Sequence, residues 1–513
     1  MGGNLFDIFA WDRGSRVLVR GGGSGGDSGG DSGAGAAGGD LDYAGMAALS
    51  GRLANALAAL GVKPGDRVAV QAEKSVTGLA LYLATLRAGA IFLPLNTAYT
   101  LSELGFFIAD AAPALVVCDP EAAAGVAGIA GGAAVRTLDA AGQGSLADLA
   151  ATMPAAFATV ARQGDDIAAI LYTSGTTGRP KGAMLSHANL ASNARALQAA
   201  WRFTEGDVLL HALPVYHAHG LFVAANLVLL SGAAMFFLPR FEPAALVRLM
   251  PEATVMMGVP TFYTRLLAQD GLGAAARGMR LFISGSAPLL PETHRAWAAA
   301  TGHAILERYG MTETTMLTSN PYAGARLPGS VGQPLPGVEL RIADPESGQV
   351  LPAGEVGMIE VRGPNVFRGY WRLPEKTASE FRADGFFVTG DLGFVDAQGY
   401  VHIVGRGKDL VITGGLNVYP REVEAEIDAI PGVAESAVIG LPHPDFGEGV
   451  TAIVVPRPGA APSEAAILAA LAGRLSKFKT PKRVILVADL PRNTMGKVQK
   501  NLLRDTYRNL YAG

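Results

Sequence analysis

The stretch Tyr172-Thr-Ser-Gly-Thr-Thr-Gly-Arg-Pro-Lys-Gly-Ala183 decides which fold the chain can adopt. Its glycines, Gly175, Gly178 and Gly182, let the backbone approach an anion and aim successive N–H groups at it. The hydroxyls of Thr173, Ser174, Thr176 and Thr177 add donors, and Lys181 adds a point charge. That chemistry suits a polyphosphate. The spacing is not the Gly-x4-Gly-Lys-Ser/Thr of a P-loop, so a Walker-type NTPase fold is disfavoured.

On both sides of this stretch, apolar helical patterns alternate with short β-branched runs. Tyr43 to Leu60 reads as an amphipathic helix, and Arg67–Gln71 reads as a strand after the Lys63-Pro-Gly-Asp turn. Ala114–Val117, Thr254–Met257 and Leu281–Ser284 are further strand candidates. The alternation predicts an α/β fold of parallel layers. From about Gly337 to Gly405 the pattern changes to short strands with glycine turns, which predicts a small β-rich subdomain. From Lys408 onward the chain reads as an α+β unit with a helix at Arg421–Ile430 and strands at Ala437–Gly440 and Val450–Val455. The expected boundary near Arg406–Asp409 gives an N-terminal domain over residues 1–405 and a C-terminal domain over 406–513.

Length and composition agree with this division. The 513 residues exceed one compact core, and 49% hydrophobic with 17% charged residues reads as globular. A net charge of −3 shows no basic excess, so nucleic acid is not an expected partner. The single cysteine, Cys118, excludes an intramolecular disulfide framework and reads as a buried small hydrophobe in a reducing, cytoplasmic setting. The first dozen residues carry no signal-peptide pattern. Leu221 to Leu238 is uncharged, but Asn226 and Ser231-Gly232 interrupt it; a buried helix, a turn and a buried strand are expected, not a membrane span. The Gly/Ser/Asp-rich tract from Arg20 to Asp40 cannot bury apolar area and reads as a surface loop.

With these motifs in place, the chain resembles the adenylate-forming superfamily, which holds acyl-CoA synthetases, nonribosomal adenylation domains and luciferases. Besides the Tyr172–Ala183 stretch, its motifs follow in family order: Pro94-Leu-Asn96, Glu307-Arg-Tyr-Gly-Met-Thr-Glu-Thr314, Thr389-Gly-Asp391, Gly405-Arg-Gly-Lys-Asp409, Gly414-Gly415 and Pro491-Arg-Asn-Thr-Met-Gly-Lys497. The resemblance implies ATP and coenzyme A as substrates and Mg2+ as cofactor. It sets Glu307, Arg308, Tyr309, Gly310 and Thr312 at the nucleotide, with Tyr309 on adenine and Thr312 on the α-phosphate. Glu313, with Thr176, becomes the Mg2+ ligand, since a hard cation takes carboxylate and phosphate oxygens together. Asp391 and Arg406 become ribose ligands.

Lys497 is the family's adenylation lysine, placed between the acid's carboxylate and the α-phosphate, where a cation offsets the repulsion of approaching anions. Lys497, Thr312, Glu313 and Lys181 are thus the expected catalytic set. Lys408 occupies the family's hinge position, and Gly414-Gly415 would line the channel for the pantetheine of CoA. The Pro491–Lys497 pattern is also of the kind that lysine acetyltransferases modify in related ligases.

The family lines its acyl pocket where this chain has His217-Ala-His219 and Ser284-Gly-Ser286. His219, Ser286, Met316 and the wording Val259-Pro-Thr-Phe-Tyr-Thr-Arg265 resemble malonyl-CoA synthetases, with Ala218 and Met311 beside them. A second carboxylate needs a cation or a hydrogen-bonding anchor, for which Arg265, Arg280 and His219 are the candidates. The expected reaction is malonate, and also methylmalonate, with ATP and CoA giving the acyl-CoA, AMP and pyrophosphate. A short- or medium-chain or aryl acyl-CoA synthetase, an adenylation enzyme loading a carrier protein, and a silent nucleotide-binding protein are the alternatives.

Overall fold

The computed structural model describes residues 3–21, 39–173, 180–413, 416–472, 474–493 and 496–511. The chain divides into two compact units, one of Met1–Glu339 and Arg362–Gly385, the other of Leu340–Val361 and Phe386–Gly513.

The first unit is the α/β body that the alternation predicts. Among the described residues it holds two large sheets. The smaller has the order Ala134–Thr137, Leu115–Cys118, Arg67–Gln71, Ile91–Pro94, Ile167–Thr173, Lys181–Ser186. Its first five strands run parallel, and the last pairs antiparallel with Ile167–Thr173. The larger sheet has nine strands, and its central run of Leu306–Met311, Leu281–Ser284, Val255–Gly258, Val208–His211 and Ala234–Phe237 is parallel. Parallel strands covered on both faces need continuous apolar sequence, which Leu115–Cys118 and Ala234–Phe237 supply.

The crossover helices start on local signals. Asp42 caps Tyr43–Ala59 through Gly45 N–H, Ser75 caps Val76–Arg87, and Thr100 with Glu103 forms a capping box for Leu101–Ala111. One core gathers Leu210, Phe236, Met256, Tyr263, Phe282 and Trp297, with the Tyr263 and Trp297 rings edge-on at 4.9 Å. Another gathers Leu93, Phe107, Val116, Cys118 and Ile170. Cys118 is fully buried there, and burial pushes its thiol up to about 11, so it packs as a hydrophobe.

The uncharged stretch from Leu221 folds as expected. It runs through a π-helical turn, His219–Ala225, a helix, Asn226–Ser231, a left-handed Gly232 and the buried strand Ala234–Phe237. Among the described residues no helix is long and apolar enough to cross a membrane. Most of the glycine-rich tract, residues 22–38, lies outside the described residues. The strands on either side of it, Val17–Val19 and Leu41–Asp42, pair antiparallel, so the tract joins two neighbours.

The second unit contains an antiparallel sheet in the order Glu339–Ala343, Gly357–Arg362, Phe387–Val395, Val401–Arg406. It also contains the long hairpin Val433–His443 with Gly447–Pro456, joined by Val411–Thr413, Leu416–Val418 and Arg483–Leu486. The helices Pro420–Asp428 and Glu464–Leu471 cover this sheet through Val423, Ile427, Ile467 and Leu471.

Candidate active site

The stretch expected to bind phosphate is bounded by two paired antiparallel strands. Thr173 ends the strand Ile167–Thr173, Lys181 opens Lys181–Ser186, and the two residues face each other across the ladder. Ser174, Gly175, Thr176, Thr177 and Gly178 lie outside the described residues. Lys181 is tied back to the body: its Nζ lies 3.2 Å from Glu380 Oε1 and 4.2 Å from the centre of the Tyr370 ring. The Tyr370 hydroxyl lies 3.0 Å from Glu313 Oε1 and 2.7 Å from Glu380 Oε2. Glu313 and Lys181, predicted separately from two motifs, therefore belong to one network. A buried carboxylate beside a phosphate-loop lysine fits Mg2+, which takes one or two carboxylates and leaves the remaining positions to phosphate and water.

Glu313 is carried by a tight strand reversal. Leu306–Met311 turns through Thr312–Thr314 into Thr315–Ser319, so Glu307, Arg308, Tyr309 and Gly310 lie on one strand and Thr312 on the turn. A Cβ on Gly310 would meet the Thr315 carbonyl oxygen at 1.9 Å, so this reversal needs glycine. Thr315 itself holds φ at 51°, a left-handed value that is costly for a β-branched residue and that clusters at functional sites.

In the second unit, Asp391 and Arg406 are register partners on adjacent strands, with Arg406 Nε 2.9 Å from Asp391 Oδ1. Gly390 adopts φ of 75°, and Thr389 Oγ1 accepts from Asp391 N–H while donating to the Ile359 carbonyl. The Thr-Gly-Asp motif thus fixes one buried carboxylate at a strand edge. Lys408 sits in the short turn Gly407–Asp409, whose Asp409 pairs with Arg504.

The Lys497 loop closes on itself. Asn493 Oδ1 accepts from Lys497 N–H, Arg492 donates to the Gly496 carbonyl, and Arg492 pairs with Glu435. The residue keeps exposed surface, but its ammonium is crowded by protein. Desolvation first, then repulsion from Arg406 and Lys408, outweigh the attraction of Asp391 and Asp409 and push it down to about 8. Gly414 and Gly415 lie outside the described residues.

Of the residues expected at the acid, His217, His219 and Ser286 group with one buried arginine, Arg308. Ser286 Oγ is 3.2 Å from His219 Nδ1, and Ser286 holds φ at 70° to make that contact. The Arg308 guanidinium lies against Gly285, where a Cβ would meet Cζ at 2.4 Å. Its charge, after burial, lowers both His217, to about 4, and His219, so both rings are neutral at neutral pH. Burial lowers Arg308 to about 9, which leaves it cationic. Ala218 and Met316 are buried and Met311 half-buried. Among the described residues, Arg308 Nε and Nη2, His219 Nε2 and Ser284 Oγ are buried atoms with no hydrogen-bond partner. Nε and Nη2 form one edge of the guanidinium, the edge that grips a carboxylate with two parallel bonds.

Of the three expected anchors, His219 is in this group. Arg280 is committed elsewhere: it forks onto Asp207 at 2.6 and 2.7 Å and donates to the Trp201 and Arg202 carbonyls. Arg265 is exposed on the last turn of Pro260–Leu267. Arg308 was expected at the nucleotide because it follows Glu307 in the motif; its burial beside the histidine turn is a tertiary fact. The sequence signal was a cation inside a strand that opens Leu306-Glu307-Arg308. Tyr370 and Glu380 were not anticipated, because nothing local distinguishes them from an ordinary helix-flanking pair.

The chain belongs to the AMP-binding enzyme family: that model matches residues 31–371, and the AMP-binding enzyme C-terminal domain matches residues 422–497. The structure of ATP-bound MatB from Rhodopseudomonas palustris is 61% identical, with a TM-score of 0.95 over 100% of both chains. A malonate–CoA ligase of Arabidopsis thaliana is 37% identical over 481 residues, 87% of this chain and 78% of that protein. A feruloyl-CoA synthase of an Amycolatopsis species is 38% identical over 474 residues, 90% of this chain and 93% of that protein.

Proposed function

We propose that this chain converts malonate to malonyl-CoA through an acyl-adenylate, consuming ATP and CoA and releasing AMP and pyrophosphate. The observation that supports this substrate is the unpaired Nε/Nη2 edge of Arg308, buried beside His219 and Ser284. A buried cation edge without a partner is costly, and a second carboxylate on the substrate offsets that cost. An aryl acid, such as the one named for the feruloyl-CoA synthase, would leave the edge unpaired.

In the first half-reaction one malonate carboxylate oxygen attacks the α-phosphorus, and the bond to the bridging oxygen of pyrophosphate breaks. Lys497 lies between the two anions and offsets their repulsion. Lys181 takes the outer phosphates, and Asp391 with Arg406 takes the ribose. Glu313 with Thr176 would hold Mg2+, which would supply charge neutralisation at the phosphates. In the second half-reaction the CoA thiolate attacks the acyl carbon, and AMP leaves. Residues 406–513, turning near Lys408, exchange Lys497 for the Gly414-Gly415 loop between the two steps.

The chain works in the cytoplasm on these small molecules, and a lysine acetyltransferase acting on Lys497 would silence the first step by removing its charge. An acid panel with ATP and CoA, read as AMP release, tests the substrate. Malonate is expected first and methylmalonate close behind, with acetate and octanoate lower by roughly a hundredfold. A monocarboxylate that matches malonate overturns the reading.

A further inference from the structure

Lys74 is a lysine in the wrong place. It follows the strand Arg67–Gln71, immediately before the Ser75 cap, and only 6% of its surface is exposed. Its amine has no carboxylate partner among the described residues. It lies 2.9 Å from His211 Nδ1, 2.8 Å from the His211 carbonyl and 4.3 Å from the centre of the Phe237 ring. Burying an amine without an acid is costly, and a leucine or methionine would fill the space without that penalty. The amine's hydrogen bonds are therefore the feature to explain.

Those bonds lead to the acid pocket. With Lys74 donating to Nδ1, the fully buried His211 carries its proton on Nε2, which lies 2.8 Å from the Gly220 carbonyl oxygen. Gly220 belongs to the π-helical turn His219–Ala225, a rare geometry that recurs at functional sites. That turn is folded tightly on the preceding loop: a Cβ on Gly220 would meet the Pro214 carbonyl oxygen at 2.0 Å. The neighbour of Gly220 is His219, whose ring contacts Ser286. A continuous line of contacts thus runs from Lys74 through His211 and Gly220 to the histidine of the acid pocket.

We propose that Lys74 is a positioning residue for acid recognition: by orienting His211 it holds the Gly220 carbonyl, and with it the turn that presents His219. Lys74 does not touch substrate. It selects the His211 tautomer and anchors a turn whose backbone geometry would otherwise be free to relax to an ordinary α-helical one. The inference rests on the acid pocket described above but not on which acid fills it.

The test uses the full-length protein and whichever acid leads the panel, so failure of the malonate reading leaves it intact. ATP–pyrophosphate exchange gives separate KM values for acid and for ATP. Lys74→Met and His211→Leu are each expected to raise the acid KM about tenfold while the ATP KM stays within about twofold. The double variant should be no worse than either single, because both break one line. His211→Gln keeps a donor for Gly220 and an acceptor for Lys74, and should hold the acid KM within about threefold of the parent. An unchanged acid KM in Lys74→Met, a parallel rise in both KM values, or additive effects in the double variant overturns the proposal. If Lys74→Met gives no folded protein, equal acid KM values for His211→Gln and His211→Leu overturn it.

Discussion

Gly285 and Arg308 occupy complementary space: a Cβ on Gly285 would lie 2.4 Å from Arg308 Cζ and 2.5 Å from Nε. The missing side chain makes room for the buried guanidinium. Gly285→Ala should therefore push the carboxylate-gripping edge out of register. The expected result is a fall in kcat/KM for malonate of about a hundredfold, the scale set by leaving a charged partner misaligned. The ATP KM should hold. Steady-state kinetics together with a melting curve checks this, and a variant with parental malonate kinetics would show that Arg308 does not grip the acid.

How much of this was legible follows from where each signal lives. The proposed nucleotide side has local signals: glycines, hydroxyls and Lys181 lie within twelve residues of chain, and Asp391 follows its own glycine turn. The fold class was readable because short β-branched runs such as Thr254–Met257 and Leu281–Ser284 alternate with apolar helical patterns, and both runs fall on parallel strands of one sheet. The proposed acid anchor was not. Arg280 and Arg308 each sit on or beside a strand of the same sheet, and sequence alone does not say that Asp207 claims one while the other meets Gly285. The Lys74–His211 contact spans 137 residues and leaves no local trace.

Tyr370 bridges Glu313 and Glu380, and Glu380 in turn holds Lys181. Tyr370→Phe removes the hydroxyl and keeps the ring. Groups that orient a metal ligand typically contribute about ten- to a hundredfold to metal affinity. The Mg2+ concentration for half-maximal pyrophosphate exchange should rise at least about tenfold, with the acid KM little changed. A magnesium titration of parent and variant decides it; superimposable curves would detach Glu313 from the metal.

Ala218 is buried between His217 and His219 at the start of the π-helical turn. Ala218→Thr adds two heavy atoms where the acid's substituent would lie, and overpacking a filled site typically costs about 1–3 kcal/mol. The parent should accept methylmalonate well, and the variant should lower the methylmalonate-to-malonate ratio of kcat/KM about tenfold or more. Equal ratios in the two proteins would place the α-substituent elsewhere.

Lys497 must carry its proton to stand between two anions, and the protein lowers its pKa to about 8 through desolvation and the nearby charges of Arg406 and Lys408. The sign follows directly. Below that value Lys497 is charged and adenylation proceeds; as pH rises through it, the cation is lost and the rate falls. Because kcat/KM reports the free enzyme, its profile for acid in pyrophosphate exchange should carry a descending limb near pH 8. Thioester formation from supplied malonyl-adenylate does not use Lys497 and should lack that limb, rising instead as the CoA thiol ionises. Lys408→Gln removes one repelling charge and should move the limb to higher pH, whatever it does to the second half-reaction. Exchange activity that stays level to pH 10 in the parent, or a limb that Lys408→Gln moves downward, would separate the titrating group from Lys497.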